Sequence, residues 1–98
     1  MMKRREYLLR LTINGHKIRK VIIDPHYEKK HSDSMNDEII LSLVRQLDEN
    51  FFEPDSVTAP YRYFVTDKML HEGKRYKLVW LLEDDELYIG IVNAYRRK

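Results

Sequence analysis

The chain has 98 residues, of which 43% are hydrophobic and 35% are charged, so we expect one globular domain spanning residues 1–98 rather than disorder. It has no cysteine, which excludes disulfides, thiolate metal sites and cysteine nucleophiles and fits a reducing compartment. No apolar run approaches the roughly 20 residues that span a bilayer. We therefore expect a cytoplasmic protein without a membrane partner.

The net charge of +2 is distributed unevenly along the chain. Residues 1–31 carry nine Lys or Arg against three Asp or Glu, and residues 32–60 carry one against seven. Residues 61–98 carry eight against six. Such a distribution allows a polyanion to bind one face and a basic protein to bind another, although a dipolar soluble domain is the simpler interpretation.

Residues 7–23 predict a β-hairpin. The Asn-Gly pair at 14–15 lies between two β-rich runs and favours a type I′ turn, which requires positive φ at both central residues. This turn places Leu11 opposite Ile18 and Arg10 opposite Arg19. Like charges directly across a ladder are unfavourable unless they are solvated or face an anion.

A long amphipathic helix is predicted to follow the hairpin. Pro25 ends the second strand, because proline cannot donate to a ladder. The run Met35–Asn50 has apolar residues at helical spacing, and Ser32 or Ser34 could cap its start. The two prolines in residues 53–60 predict a loop after the helix.

Three further strands are predicted at residues 61–66, 75–82 and 87–94. The last two form a hairpin around an acidic turn, which would pair Trp80 with Ile89 and Val79 with Gly90. Both faces of this hairpin are largely apolar, so it should lie near the centre of the sheet with one side under the helix. The predicted fold is α+β: an antiparallel sheet with one long helix packed across it, in the order ββαβββ.

Most catalytic motifs are absent from the sequence. There is no glycine-rich phosphate loop, no HExxH helix and no GxSxG elbow. His26, His31 and Asp33 match no standard zinc spacing, and neighbouring lysines would repel a dication. We therefore predict neither a metal site nor a cofactor.

Cations and histidines instead cluster at the ends of the predicted elements. Cleavage of RNA without a metal needs a base for the 2′-hydroxyl, cations for the pentavalent phosphorane and an acid for the leaving 5′-oxygen. Histidine can act as acid or base, and Arg and Lys supply the charge. Lone loop histidines are nevertheless usually just solvated, and residues 95–97 could be no more than a basic tail.

Two segments resemble known toxins. Residues 73–80, the acidic turn and residues 87–97 resemble the closing strands of RelE/ParE-type toxins, with Tyr95 where those toxins commonly have histidine. Residues 23–31, followed by an acidic helix, are similar to the opening of BrnT-type toxins, which share the RelE-like fold. The resemblance implies a RelE-like fold and a small toxin that cleaves mRNA, frequently on the ribosome, and is neutralised by a cognate antitoxin. ParE members instead poison DNA gyrase.

These observations give one main hypothesis and two alternatives. The main hypothesis is a metal-independent endoribonuclease of a toxin–antitoxin pair that cleaves single-stranded RNA, free or ribosome-bound. His31 would be its acid or base, and Lys30, Arg62 and Arg96 would bind phosphate and stabilise the transition state. The predicted substrate contacts are His26, Lys29, Arg75, Tyr95 and Arg97. The alternatives are a non-enzymatic binding module, either a gyrase poison or a protein-interaction domain, and a small domain with neither role.

Overall fold

The computed structural model describes residues 3–98, which form one six-stranded sheet with short helical segments packed against it. The spatial order of the strands is β1-β2-β6-β5-β4-β3. The strands are β1 Arg5–Ile13, β2 His16–Ile23, β3 Ser56–Thr58, β4 Tyr61–His71, β5 Lys74–Glu83 and β6 Tyr88–Arg97. The helical segments are a 3₁₀ turn at Pro25–Tyr27, α1 at Glu28–His31 and α2 at Asp37–Arg45. None of these helices has the length and apolar character that a membrane crossing requires.

The predicted long helix over Met35–Asn50 is wrong. Helix α2 has nine residues, and its N-cap is Asn36, whose side chain accepts a hydrogen bond from the Ile39 N–H, rather than Ser32 or Ser34. The helix ends at Arg45, because residues 48–50 pair with the end of β1. The Glu49 N–H donates to the Thr12 carbonyl at 2.6 Å. Local helical periodicity continues through this segment in the sequence, but tertiary pairing decides its structure.

The predicted antiparallel sheet in the order ββαβββ, with a RelE-like architecture, is also wrong. Strands β2 and β6 pair in parallel, from Lys20 opposite Tyr88 to Ile23 opposite Ile91, so the sheet is mixed. The predicted proline loop contains the additional short strand β3, which pairs with the start of β4. Turn chemistry specifies only strands joined by a short connection, whereas the β2–β6 pairing joins strands that are distant in sequence.

The first hairpin has the predicted turn, with positive φ at Asn14 (52°) and Gly15 (77°), and Leu11 lies opposite Ile18. A bulge between Leu8 and Leu11 then shifts the register. The predicted pairing of Arg10 with Arg19 is therefore not formed. A bulge adds one residue to one strand, and this outer strand accommodates it.

The β5–β6 hairpin occupies the centre of the sheet, as predicted, but its register differs by two residues. Trp80 pairs with Ile91 rather than Ile89, and Leu81 rather than Val79 pairs with Gly90, because the acidic turn is longer than expected. A shift of two residues keeps every side chain on its predicted face. A further irregularity, between Val79 and Trp80 on β5, leaves Val92 unpaired and changes the register again towards the end of β6.

The hydrophobic core lies between α2 and one face of the sheet. The rings of Phe64 and Trp80 stack with centroids 4.1 Å apart, and Ile40, Leu43 and Val44 of α2 are fully buried. Alternate residues of the strands point to the opposite face, where they are mostly half-buried or exposed. We call this second surface the open face. Its central members are Tyr61, Tyr63, Val65, Arg75, Lys77, Val79, Leu81, Tyr88, Gly90, Tyr95 and Arg97.

Candidate functional site

The first feature of the candidate site is a stacked pair of rings. His31, at the end of α1, lies against Tyr95 of β6 with ring centroids 5.1 Å apart and planes inclined by 24°. The segment that follows β2 is held beside β6, since the Asp24 N–H donates to the Ile91 carbonyl at 3.0 Å. The parallel pairing of β2 with β6 therefore brings residue 31 to the end of the last strand.

Three cations lie on the same part of the sheet as Tyr95. Lys77 lies opposite Tyr95 in the β5–β6 ladder, and its Nζ is 5.8 Å from the centroid of the tyrosine ring. Arg75 lies opposite Arg97 in the same ladder. Because side chains alternate along a strand, these four residues share the open face. We call Arg75, Lys77, Tyr95, Arg97 and the adjoining His31 the cationic end of the open face.

The cationic end has more positive charge than its neighbours neutralise. Like charges directly opposite each other in a ladder are destabilising, and Arg75 faces Arg97. The Arg97 guanidinium lies 3.4 Å from a carboxylate oxygen of Asp67, whereas Arg75 and Lys77 form no ion pair with any residue in the range 3–98. A bound polyanion would relieve this repulsion, so the arrangement is suited to phosphate groups.

The basic residues of the helical segments lie in two places. Lys30 precedes His31 on α1 and is exposed. His26 and Lys29 line a separate shallow depression that also contains Lys3 and Arg4. Of the four predicted residues in this segment, the structure brings His31 into contact with Tyr95, Lys30 is its exposed neighbour on α1, and His26 and Lys29 line another surface.

Arg96 and Arg62 do not join the cationic end. Arg96 follows Tyr95 directly, but strand alternation turns it to the other face of the sheet, opposite Tyr76. Arg62 lies opposite Leu82 and forms an ion pair with Asp84 at 3.1 Å. At the usual rise of a strand, the position of Arg62 along β5 is about 17 Å from that of Tyr95.

Sequence reasoning missed Lys77 as a site residue. The predicted register placed Val92 opposite Lys77, whereas the longer turn and the unpaired Val92 bring Tyr95 there instead. The only signal in the sequence is alternation, since Arg75 and Lys77 share a face of a predicted strand. A correct register was needed to place that face beside Tyr95.

A second polar cluster, also not predicted, holds α1 in place. The Asp37 carboxylate accepts hydrogen bonds from Arg5 Nε (2.6 Å), the Tyr7 hydroxyl (2.5 Å) and the Tyr27 hydroxyl (2.7 Å). Arg5 also donates to Glu28 of α1 at 2.6 Å. Burial would raise the pKa of Asp37, but the hydrogen bonds from Arg5, Tyr7 and Tyr27 outweigh it and lower the pKa to about 2. Asp37 is thus a fixed anion that ties together β1, the 3₁₀ turn and α2.

No group of three or more His, Cys, Asp or Glu side chains is placed to hold a metal ion within the described part of the chain, and His26, His31 and Asp33 form no such group. Comparison of the chain with protein families, curated proteins and solved structures gave no match in any of the three. The resemblance to RelE/ParE-type and BrnT-type toxins stays a prediction from sequence. The cationic end defines only the class of site: a basic and aromatic sheet surface suited to a polyanion.

Proposed function

We propose that this protein binds single-stranded RNA on its open face and cleaves it, without a metal ion, at the cationic end. The observation that supports this most strongly is the contact of His31 with Tyr95 beside Lys77, Arg75 and Arg97. A group able to transfer protons thus lies beside three cations, of which Arg75 and Lys77 form no ion pair with any residue in the range 3–98. Single-stranded RNA is the favoured polyanion because its unstacked bases can lie on an aromatic sheet surface.

The proposed reaction is an internal transesterification. The 2′-oxygen forms a bond to the adjacent phosphorus while the bond from phosphorus to the 5′-oxygen breaks, giving a 2′,3′-cyclic phosphate and a 5′-hydroxyl. One proton leaves the 2′-hydroxyl and another is delivered to the 5′-oxygen. His31 performs one of these two transfers and water performs the other.

The cations have a different role in this mechanism. Negative charge accumulates on the equatorial phosphate oxygens in the transition state, and cationic side chains carried by a strand can stabilise it. Arg75, Lys77 and Arg97 lie on β5 and β6, and Lys30 precedes His31 on α1. The set predicted from sequence was Lys30, Arg62 and Arg96; the proposal keeps Lys30 and puts Arg75, Lys77 and Arg97 in place of Arg62 and Arg96.

The test is cleavage of single-stranded RNA in the presence of EDTA. We expect the wild type to be active and His31→Ala to lose at least about 100-fold of the cleavage rate, the usual contribution of a general acid or base. His16→Ala is the control, because His16 is an exposed histidine at the start of β2, away from Tyr95. Full activity of His31→Ala, or no cleavage of free or ribosome-bound RNA by the wild type, would contradict the proposal.

We further propose that this activity is that of a toxin neutralised by a cognate antitoxin. Support comes from the sequence resemblance at residues 23–31 and 73–97. Inducible expression in bacteria should arrest growth with rapid loss of mRNA, and His31→Ala should not. Arrest with intact RNA and damaged DNA would instead favour a gyrase poison.

A further inference from the structure

A hollow of about 390 Å³ lies on the open face, away from the cationic end. Tyr61, Tyr63 and Tyr88 contribute aromatic side chains to its lining, Leu81 and Gly90 form part of its floor, and Arg4 lies at its rim. Tyr88 and Tyr95 are at opposite ends of β6, about 20 Å apart at the usual strand rise. The hollow is therefore distinct from the surface proposed for cleavage.

The floor of the hollow depends on the absence of a side chain at Gly90. A Cβ atom at this position would lie 2.9 Å from Leu81 Cδ1 and 3.1 Å from Leu81 Cγ. Gly90 thus allows the Leu81 side chain to lie over the backbone of β6, and this gives the floor an apolar surface.

The three tyrosines differ in how they are held. The Tyr88 hydroxyl donates to Glu83 Oε1 at 2.6 Å, and burial together with this hydrogen bond raises the pKa of Tyr88, which keeps the phenol protonated. The rings of Tyr61 and Tyr63 have centroids 6.3 Å apart and planes inclined by 47°. The side chains of all three tyrosines are half-buried rather than fully covered, so their rings offer surface to a ligand.

We propose that this hollow binds one nucleobase of the single-stranded RNA whose backbone is held at the cationic end. This inference rests on the proposed function, since it assigns a second contact to the same RNA. An apolar floor with aromatic walls fits a flat heteroaromatic ring, and every nucleobase has such a face. Arg4 and Asp24, 3.6 Å apart, also line the hollow, and the Arg4 side chain is 72% exposed.

The experiment is a titration of ¹⁵N-labelled protein with adenosine 5′-monophosphate, followed by amide chemical shifts. We expect saturable shifts at Tyr63, Leu81 and Gly90 at millimolar nucleotide. Ribose 5-phosphate, which has the sugar and phosphate but no base, should not produce them. Absence of the shifts with the nucleotide, or equal shifts with ribose 5-phosphate, would overturn the base-binding assignment.

Variants of the hollow test whether nucleotide binding depends on its tyrosine rings. Tyr63→Leu removes the ring but keeps apolar volume, and it should weaken nucleotide binding about 10-fold, within the range for one base–aromatic stack. Tyr61→Leu gives an independent second test if Tyr63→Leu does not fold. Leu70→Ala is the control, because Leu70 is 60% exposed on the same strand but lies towards its other end. Unchanged nucleotide binding in both tyrosine variants would also overturn the assignment.

The experiments distinguish failure of the base-binding assignment from failure of the nuclease proposal. Nucleotide binding is measured without cleavage, and cleavage is tested by His31→Ala at the other end of the sheet. If no nucleotide binds in the hollow but His31→Ala abolishes cleavage, only the base-binding assignment fails. If the nucleotide binds but RNA is not cleaved, the nuclease proposal fails and a single-strand binding surface is left.

Discussion

Among individual residues, Tyr95 determines where the His31 ring lies. Stacked aromatic rings contribute about 0.5–1.5 kcal/mol beyond the area they bury, which is enough to favour one orientation of an otherwise half-exposed imidazole. Sequence reasoning assigned Tyr95 to substrate binding. The structure gives it a contact with His31, so we treat Tyr95 as a positioning residue.

Substitutions of Tyr95 separate its ring from its hydroxyl. Tyr95→Phe keeps the stack and should cleave RNA at nearly the wild-type rate, whereas Tyr95→Ala frees His31 and should lower the single-turnover rate about 10-fold or more. Binding of a 2′-O-methyl oligonucleotide, which lacks the nucleophile, should change little in either variant. Equal losses of rate in Tyr95→Phe and Tyr95→Ala would show that the hydroxyl acts in the reaction and would contradict the positioning role.

At the scale of secondary-structure elements, the Asp37 cluster fixes the segment that carries His31. The carboxylate of Asp37, the first residue of α2, accepts hydrogen bonds from Arg5 of β1 and from Tyr27 of the 3₁₀ turn. The short helix α1 between them has no buried residue of its own. Its position therefore depends on these flanking contacts, on the hydrogen bond from Arg5 to Glu28 and on the stack of His31 with Tyr95 rather than on a buried side chain of its own.

Asp37→Asn should destabilise the fold and change its pH dependence. The pKa of Asp37 is lowered from 3.8 to about 2 on folding, so its contribution, about 2 kcal/mol, is complete above pH 4 and is lost as the pH falls through 2. In urea unfolding at pH 7, the free energy of unfolding of the wild type should exceed that of Asp37→Asn by about this amount. The difference between the two should shrink below pH 4.

The control for this experiment is Asp33→Asn. Asp33 is exposed and has no hydrogen-bond or ion-pair partner within residues 3–98. Its substitution should leave the unfolding free energy nearly unchanged. Equal stability of Asp37→Asn and the wild type at pH 7 would contradict the role of the cluster.

The elements also show how far sequence reasoning extends. The Asn14-Gly15 turn and the central position of the β5–β6 hairpin were predictable, because turn chemistry and apolar patterning are local signals. Bulges, a longer acidic turn and the parallel β2–β6 pairing were not, since long-range packing selects them. The predicted helix was too long for the same reason, because residues 48–50 pair with β1 instead of continuing α2.

The candidate site was predictable to a similar extent. Residue chemistry identified His31, Lys30 and the residues at the end of the chain as candidates, and the structure brings His31 into contact with Tyr95. Residue chemistry does not show on which face of the sheet a side chain lies, and Arg96 lies on the other face from Tyr95. It also does not show at which end of a strand a residue lies, and Arg62 lies at the other end of the sheet from Arg96 and Tyr95. Lys77 was missed because its place depends on the register of the central hairpin.

For the whole molecule, the central claim is that the cationic end of the open face binds the RNA backbone. The most direct measurement is the salt dependence of the affinity for a single-stranded 2′-O-methyl oligonucleotide. Four phosphate contacts, by Lys30, Arg75, Lys77 and Arg97, predict a log–log slope of about −3. The double variant Arg75→Gln/Lys77→Gln should reduce its magnitude by about 1.4, whereas Arg62→Gln should leave it unchanged. A slope near zero, or one that the double variant does not alter, would contradict the claim.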